Sequence, residues 1–195
     1  QAINVGVVGA GASGVEVALA MQYRLKTGFE SLGRKSEHIK FHVVSATEQV
    51  LPSHNEKVQG VYRNILNERG VKVHSGFRVS DIQQGLLRDA SSAKELGLDE
   101  IVWAISASAP SWPKQAGLAC SAKGFIEVDA CLQSSSHKGV FAAGDIADVR
   151  EHPRPKAGVF AVRQGKPLAI NLEKALKGEA LKPFNQQEKF LSLVS

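Results

Sequence analysis

Cysteine is nearly absent: there are two in 195 residues, Cys120 and Cys131, in neither a C-x-x-C pair nor a four-ligand set. That excludes a thiolate zinc site, a thioredoxin-type redox pair and a secreted disulfide framework, and with them disulfide reduction by the chain's own thiols. Both are read as small buried hydrophobes in a reducing compartment. Aromatic residues reach only 6%, too few for the stacking platforms of a single-strand nucleic-acid binder. The 24 Lys and Arg against 19 Asp and Glu leave a net charge of +5, but the excess is scattered rather than gathered in a stripe. No nucleic-acid partner is therefore expected, and the mildly basic surface suits an anionic ligand. No apolar run approaches the roughly 20 residues of a membrane span, and no charged n-region leads an apolar h-region. The chain reads as cytoplasmic, with no membrane span. The histidines (His38, His42, His54, His74, His137 and His152) show no metal-ligand spacing. Nucleophile-elbow and Walker motifs are also missing. The length holds one large domain or two small ones, not two complete dinucleotide folds plus an interface domain.

What is present begins at the first residues. Ile3 to Val8 is a short apolar run of the kind that fills a buried parallel strand. It leads into Gly9-Ala10-Gly11-Ala12-Ser13-Gly14, and then into a breaker-free segment that carries Val15, Ala18, Leu19, Met21 and Leu25 as far as Gly28. Strand, glycine loop and helix follow in the order that a βαβ unit requires. In that context Gly9 permits the tight turn, Gly11 lets the backbone approach a pyrophosphate, and Gly14 lets helix and strand pack closely. The N–H groups of the helix start, at Ala12 and Ser13, supply donors and positive dipole.

A loop over Thr27 to Glu37 leads to a second strand, Ile39 to Ser45. Ser45 stands where a ribose-holding carboxylate is expected, 31 positions beyond Gly14 instead of the usual ~20, and the loop absorbs the difference. Glu48 is the nearest acid. No arginine stands beside Ser45, so the choice between NAD and NADP stays open. Pro52 and Ser53 open a second helix in which Ser53 to Glu56 reads as a capping box, with an apolar stripe at Val58, Val61, Tyr62, Ile65 and Leu66. A third strand at Val71 to Val73, a small meander from Phe77 to Arg88 and a buried strand over Asp99 to Ile105 complete the first part. Beyond Ala107 to Pro113 the sequence turns turn-rich. It holds a strand near Phe125 to Val128, the run Gly139 to Asp145, and a helix from Ala157 to Lys177 that Pro167 should kink or interrupt.

Gly9 to Glu16, Val43 to Pro52 followed by Arg69 to Val73, and Gly139 to Asp145 resemble the pyridine nucleotide-disulfide oxidoreductase superfamily. The finer likeness is to type II NADH dehydrogenase-like modules, including one fused to selenophosphate synthase in some bacteria. The resemblance implies an α/β fold: a Rossmann-like NAD(P)H-binding domain over 1–108, with a parallel sheet and small meander, then a partial FAD-domain segment over 109–195. It places Glu16 near nicotinamide and flavin, and Ser106 at a turn where the family has an Ala-Thr-Gly end. It puts Gly144 and Asp145 on the FAD ribityl and pyrophosphate region, and Lys156 and Ala157 at the helix start facing the flavin.

The implied parent is an FAD-dependent NAD(P)H oxidoreductase that passes hydride from nicotinamide to flavin. The chain holds one glycine loop only, and Phe190 to Ser195 reads as a strand cut short. It is therefore expected to be a fragment, inactive alone, whose partners are a nicotinamide dinucleotide, the missing FAD-domain half and, if strand edges stay open, a second copy. No catalytic residue is assigned. Two rivals stand beside this reading: a catalytically degenerate regulatory nucleotide-binding module, and a methyltransferase using S-adenosylmethionine, against which the Gly144-Asp145 segment speaks.

Overall fold

The computed structural model describes residues 2–185, 187, 192 and 194. The strand expected over 190–195 lies mostly outside them. The described residues fall into two compact units, Gln1–Ile105 with Ser192–Ser195 and Ser106–Leu191.

In the first unit, β1 (Ile3–Val8), β2 (Ile39–Val44), β3 (Lys72–His74) and β7 (Glu100–Trp103) form a parallel sheet in the order β3-β2-β1-β7. The crossovers are α1 (Ala12–Ser31) and α2 (Glu56–Glu68), while β4 (Val79–Gln83), β5 (Leu86–Asp89) and β6 (Glu95–Gly97) make an antiparallel meander. Because successive strand residues point to opposite faces, the apolar runs bury both. Val5, Val7, Ile39, Phe41 and Val43 pack with Val15, Ala18 and Leu66 of the helices. On the other face Val8 and Val44 pack with Phe77, Leu87 and Leu98 from the meander and its ends.

Local details differ from the sequence reading. Helix α1 runs through Gly28 to Ser31, because nothing crowds that glycine and apolar residues continue past it. It stops at Gly33, whose φ of +67° ends the turn. The longer helix, not a loop, takes up the extra spacing before Ser45. Helix α2 is capped by Asn55, whose side chain accepts from the Val58 N–H at 3.0 Å, and Ser53 lies too far upstream to serve. Val61 is half exposed, and Gln59 takes the buried place, donating to the carbonyls of His54 and Leu51. Strand β7 lies at the sheet edge and is only partly buried.

A polar relay crosses the second sheet face beside the apolar patch. Asn4 donates its backbone N–H (2.7 Å) and Nδ2 (3.3 Å) to the Asp99 carboxylate, and this turns the Asn4 Oδ1 toward His42 Nε2 at 3.3 Å. His42 therefore carries its proton on Nε2, and its Nδ1 accepts from His74 Nε2 at 3.0 Å. Burial first, then the positive side of His74, Lys72 and Lys40, lowers the His42 pKa from 6.5 to about 4, and burial likewise lowers that of His74. The unfolded imidazole takes up a proton below pH 6.5 while the folded one does not, so stability is lost as pH falls from about 6.5 through 4. For His42 the loss is about 3 kcal/mol at most. Urea midpoints of wild type and His42→Gln at pH 7, 5.5 and 4.5 check this. The wild type should lose more stability across the interval, and parallel declines would contradict the relay's role.

The second unit contains α3 (Trp112–Gln115), a two-stranded parallel sheet of β8 (Ile126–Val128) and β9 (Ala147–Val149), and α4 (Gly158–Leu176). Its core is Ile126, Val128, Leu132, Ala142, Ala147 and Val149. Helix α4 is continuous through Pro167. Two buried amides, one on either side of the proline, anchor it. Gln164 Oε1 accepts from the Gly144 N–H at 2.6 Å. Asn171 donates to the carbonyls of Cys131 and Lys182 and accepts from the Lys182 N–H. Both cysteines are free and half-buried. Among the described residues no helix is long and apolar enough to cross a membrane.

Candidate functional site

The turn from β1 into α1 is built on three glycines with three different surroundings. Gly9 has a φ of +118°, and a Cβ there would overlap the Ala104 carbonyl, 2.7 Å from its carbon. Gly14 sits against the loop: its Cβ would overlap the Gly9 carbonyl oxygen, 2.9 Å from the carbon, and lie 3.4 Å from Ala104 Cβ. Gly11, which flanks the start of α1 in extended backbone without a side-chain cap, would meet nothing within 4 Å. Two of the glycines are thus needed by the protein's own packing. The third looks onto open space. The first intrahelical bond runs from the Val15 N–H to the Gly11 carbonyl at 3.0 Å, so the N–H groups of Ala12, Ser13 and Gly14 have no helical acceptor. They and the helix dipole make a site for an anion.

The loop after β2 forms the flank. Leu51, at φ +54°, donates its N–H to the Ala10 carbonyl at 2.7 Å and ties the two loops together. Ser45 is buried, and its hydroxyl is held inside the turn by Thr47 Oγ1 at 3.1 Å and the Gln49 carbonyl at 3.3 Å. Glu48 is exposed on the same loop and its carboxylate packs over Gly76, where an added Cβ would come within 2.6 Å of Oε1. Glu16 lies half-buried on α1.

In the second unit, Gly144, at φ +69°, begins a 3₁₀ turn over Gly144–Ile146, and Asp145 on it is exposed. This turn and the residues leading into α4 line a shallow cleft. Ala157 flanks the start of the helix in extended backbone. Lys156 donates Nζ to the Ala147 carbonyl at 2.5 Å and lies 4.1 Å above the Phe125 ring. Burial pushes its pKa down, Asp148 and Asp145 oppose the shift, and Lys123 adds to it. Gly144, Asp145, Lys156 and Ala157 thus line one cleft. Ser106 is exposed in the same unit and is not among the residues that line it. Gln164 escaped the sequence reading: only its place four residues after Phe160 on the buried face of α4 marks it. Among the described residues no group of three or more His, Cys, Asp or Glu could hold a metal.

The family model of the pyridine nucleotide-disulphide oxidoreductases matches residues 2–165. The chain belongs to that family. Similar curated proteins include a type II NADH:quinone oxidoreductase of Haemophilus influenzae, 26% identical over 96% of this chain and 43% of its own length. Ferroptosis suppressor protein 1 of Taeniopygia guttata is 27% identical over 91% of this chain and 47% of its length. The chain therefore spans a little under half the length of these relatives. A persulfide reductase structure from A. fulgidus, described as NAD-dependent, superposes with a TM-score of 0.67 at 25% identity, covering 94% of this chain and 32% of that one. NDH2 from Plasmodium falciparum, solved with NADH, gives a TM-score of 0.62 at 17% identity over 75% and 32% of the two chains, a likeness of fold alone. The family's α/β architecture, with a parallel sheet of the Rossmann type, is thus the fold of this chain.

Proposed function

We propose that this chain is part of an FAD-dependent NAD(P)H oxidoreductase of the NADH dehydrogenase-like kind, in which residues 1–108 hold the nicotinamide dinucleotide and 109–195 belong to the flavin-binding part. The observation that carries this reading is the contrast among the three glycines, since open space above Gly11 at a helix start suits the close approach of a pyrophosphate. When bound, the dinucleotide and FAD supply the hydride donor and acceptor. Ala12, Ser13 and Gly14 would hold the pyrophosphate through their N–H groups, and Glu16 would lie toward the reacting rings. Gly144, Asp145, Lys156 and Ala157 would hold the flavin side, where the positive end of α4 favours negative charge. Ser106 would border the site after β7. The chain supplies binding and orientation; none of its side chains is assigned a proton-transfer role, and the 195 residues alone are expected to turn over little or no substrate. The protein works in the cytoplasm in this reading, with the remaining flavin-domain half and a second copy of itself as partners.

The second reading, a degenerate regulatory module, draws on Ser45, whose hydroxyl is committed to its own turn. Titration of the purified chain with NADH, NADPH and S-adenosylmethionine, followed by calorimetry, separates the readings. Binding of NADH or NADPH is expected. S-adenosylmethionine binding alone would sink the oxidoreductase reading, and silence with all three ligands would favour the regulatory module.

A further inference from the structure

Helix α4 leaves an apolar stripe exposed. Its inward face is anchored through the buried amides Gln164 and Asn171, alongside Phe160, whereas its outward face carries an uncharged stripe of Gly158, Val162, Gly165, Ala169, Leu172 and Leu176. Val162 is 81% exposed, Leu172 41% and Leu176 90%. The stripe is spaced four, three, four, three, four, the seam of a two-helix coiled coil over a length of roughly 27 Å at about 1.5 Å per residue. An exposed apolar seam of this length is the reverse of what a solvent-facing helix surface needs.

We propose that this face is a self-association surface, where α4 packs antiparallel on α4 of a second copy of the chain. The two-fold arrangement that centres the stripe on Pro167 sets Leu176 opposite Gly158 of the partner, Val162 opposite Leu172, and Gly165 opposite Ala169. Each large residue then meets a small or middle-sized one, and the small pair Gly165 and Ala169 lies nearest the centre, where the backbones come closest. The flanking charges agree with this orientation. Lys166 and Glu173 lie on the same side of the stripe, one heptad apart, and the antiparallel arrangement brings Lys166 of each copy toward Glu173 of the other. Helical side chains lean toward their own N-terminus, so these two lean together. A parallel pair would set Lys166 and Glu173 against Ala161, Leu168 and Ala175 on the other flank and leave them without opposite charges. Glu173 already accepts from Lys177 of its own helix at 2.5 Å, and its second oxygen remains for the partner. A single helix pair buries less than the roughly 1,200 Å² of a tight complex, so the dimer is weak and concentration-dependent. None of this depends on dinucleotide binding.

Sedimentation equilibrium of the 195-residue chain tests it, with the variants Val162→Glu, Leu172→Lys and the double variant. The wild type dimerises as concentration rises, and each single variant, folded by circular dichroism, raises the dimer dissociation constant by at least about tenfold because it buries an unpaired charge. In the double variant the introduced glutamate of each copy faces the introduced lysine of the other, at both ends of the seam, and most of the affinity returns. A wild type that stays monomeric to high micromolar concentration overturns the proposal. So do single variants that dimerise as the wild type does, and a folded double variant that stays dissociated.

Discussion

Replacing Gly14 by alanine is expected to destabilise the first unit by about 3 kcal/mol, although the same change normally favours a helix by up to ~1 kcal/mol. The clash decides the sign. The new Cβ would overlap the Gly9 carbonyl oxygen and crowd its carbon at 2.9 Å, and both atoms belong to backbone fixed by the Gly9 N–H donating to the Val44 carbonyl at 2.9 Å. Helix α1 could accept the methyl only by lifting off β1. Gly28→Ala, in the same helix but with nothing within 4 Å, should instead raise stability by roughly 0.5–1 kcal/mol. Guanidinium unfolding of both variants, followed by circular dichroism, reads the two signs. Equal effects would mean that the glycine loop does not pack as described.

Asn171→Leu is the second large effect, expected to cost the second unit about 3 kcal/mol or more. Asn171 is 0% exposed, and its amide serves the Cys131 carbonyl and both the carbonyl and the N–H of Lys182. Leucine keeps the branched outline, with bulkier methyl groups, but leaves these backbone groups without partners, each worth roughly 1–3 kcal/mol when buried. The apolar gain offsets only part of that. Amide hydrogen exchange should show faster exchange in α4 and around Asp129 to Gln133. Unchanged protection would show that packing, not the amide, holds the helix.

The larger frame was legible because it rests on periodic burial and on glycine. Ile3 to Val8 reads as a buried strand and Ile39 to Ser45 as a second strand, and both faces of β1 and β2 are covered. The loop between β1 and α1 declared itself through three glycines of which two are sterically obligatory. The misses have a common cause. Gly28 in mid-helix and Pro167 inside α4 are decided by neighbours distant in sequence: Gly28 is tolerated where nothing crowds it, and the proline where Gln164 and Asn171 pin the helix to Gly144, Cys131 and Lys182. The relay of Asp99, Asn4, His42 and His74 was invisible for the same reason, since it joins three strands and the turn before β7 in a register that the sequence does not announce. Ser45 was read from its place at the strand end. The structure adds that its hydroxyl is turned inward, which moves attention on that loop to Glu48.

In the proposed function the space over Gly11 receives the pyrophosphate of a nicotinamide dinucleotide. Gly11→Thr isolates it, because threonine flanks a helix start about as well as glycine, the backbone there is extended, and the new side chain meets no protein atom at its Cβ. Calorimetric titration of wild type and variant with NADH and NADPH, beside their unfolding midpoints, is the direct measurement. An unchanged midpoint and at least about a tenfold loss of affinity for the dinucleotide that the wild type binds are expected. A variant that binds as tightly as the wild type would contradict that placement, as would a wild type that binds neither dinucleotide.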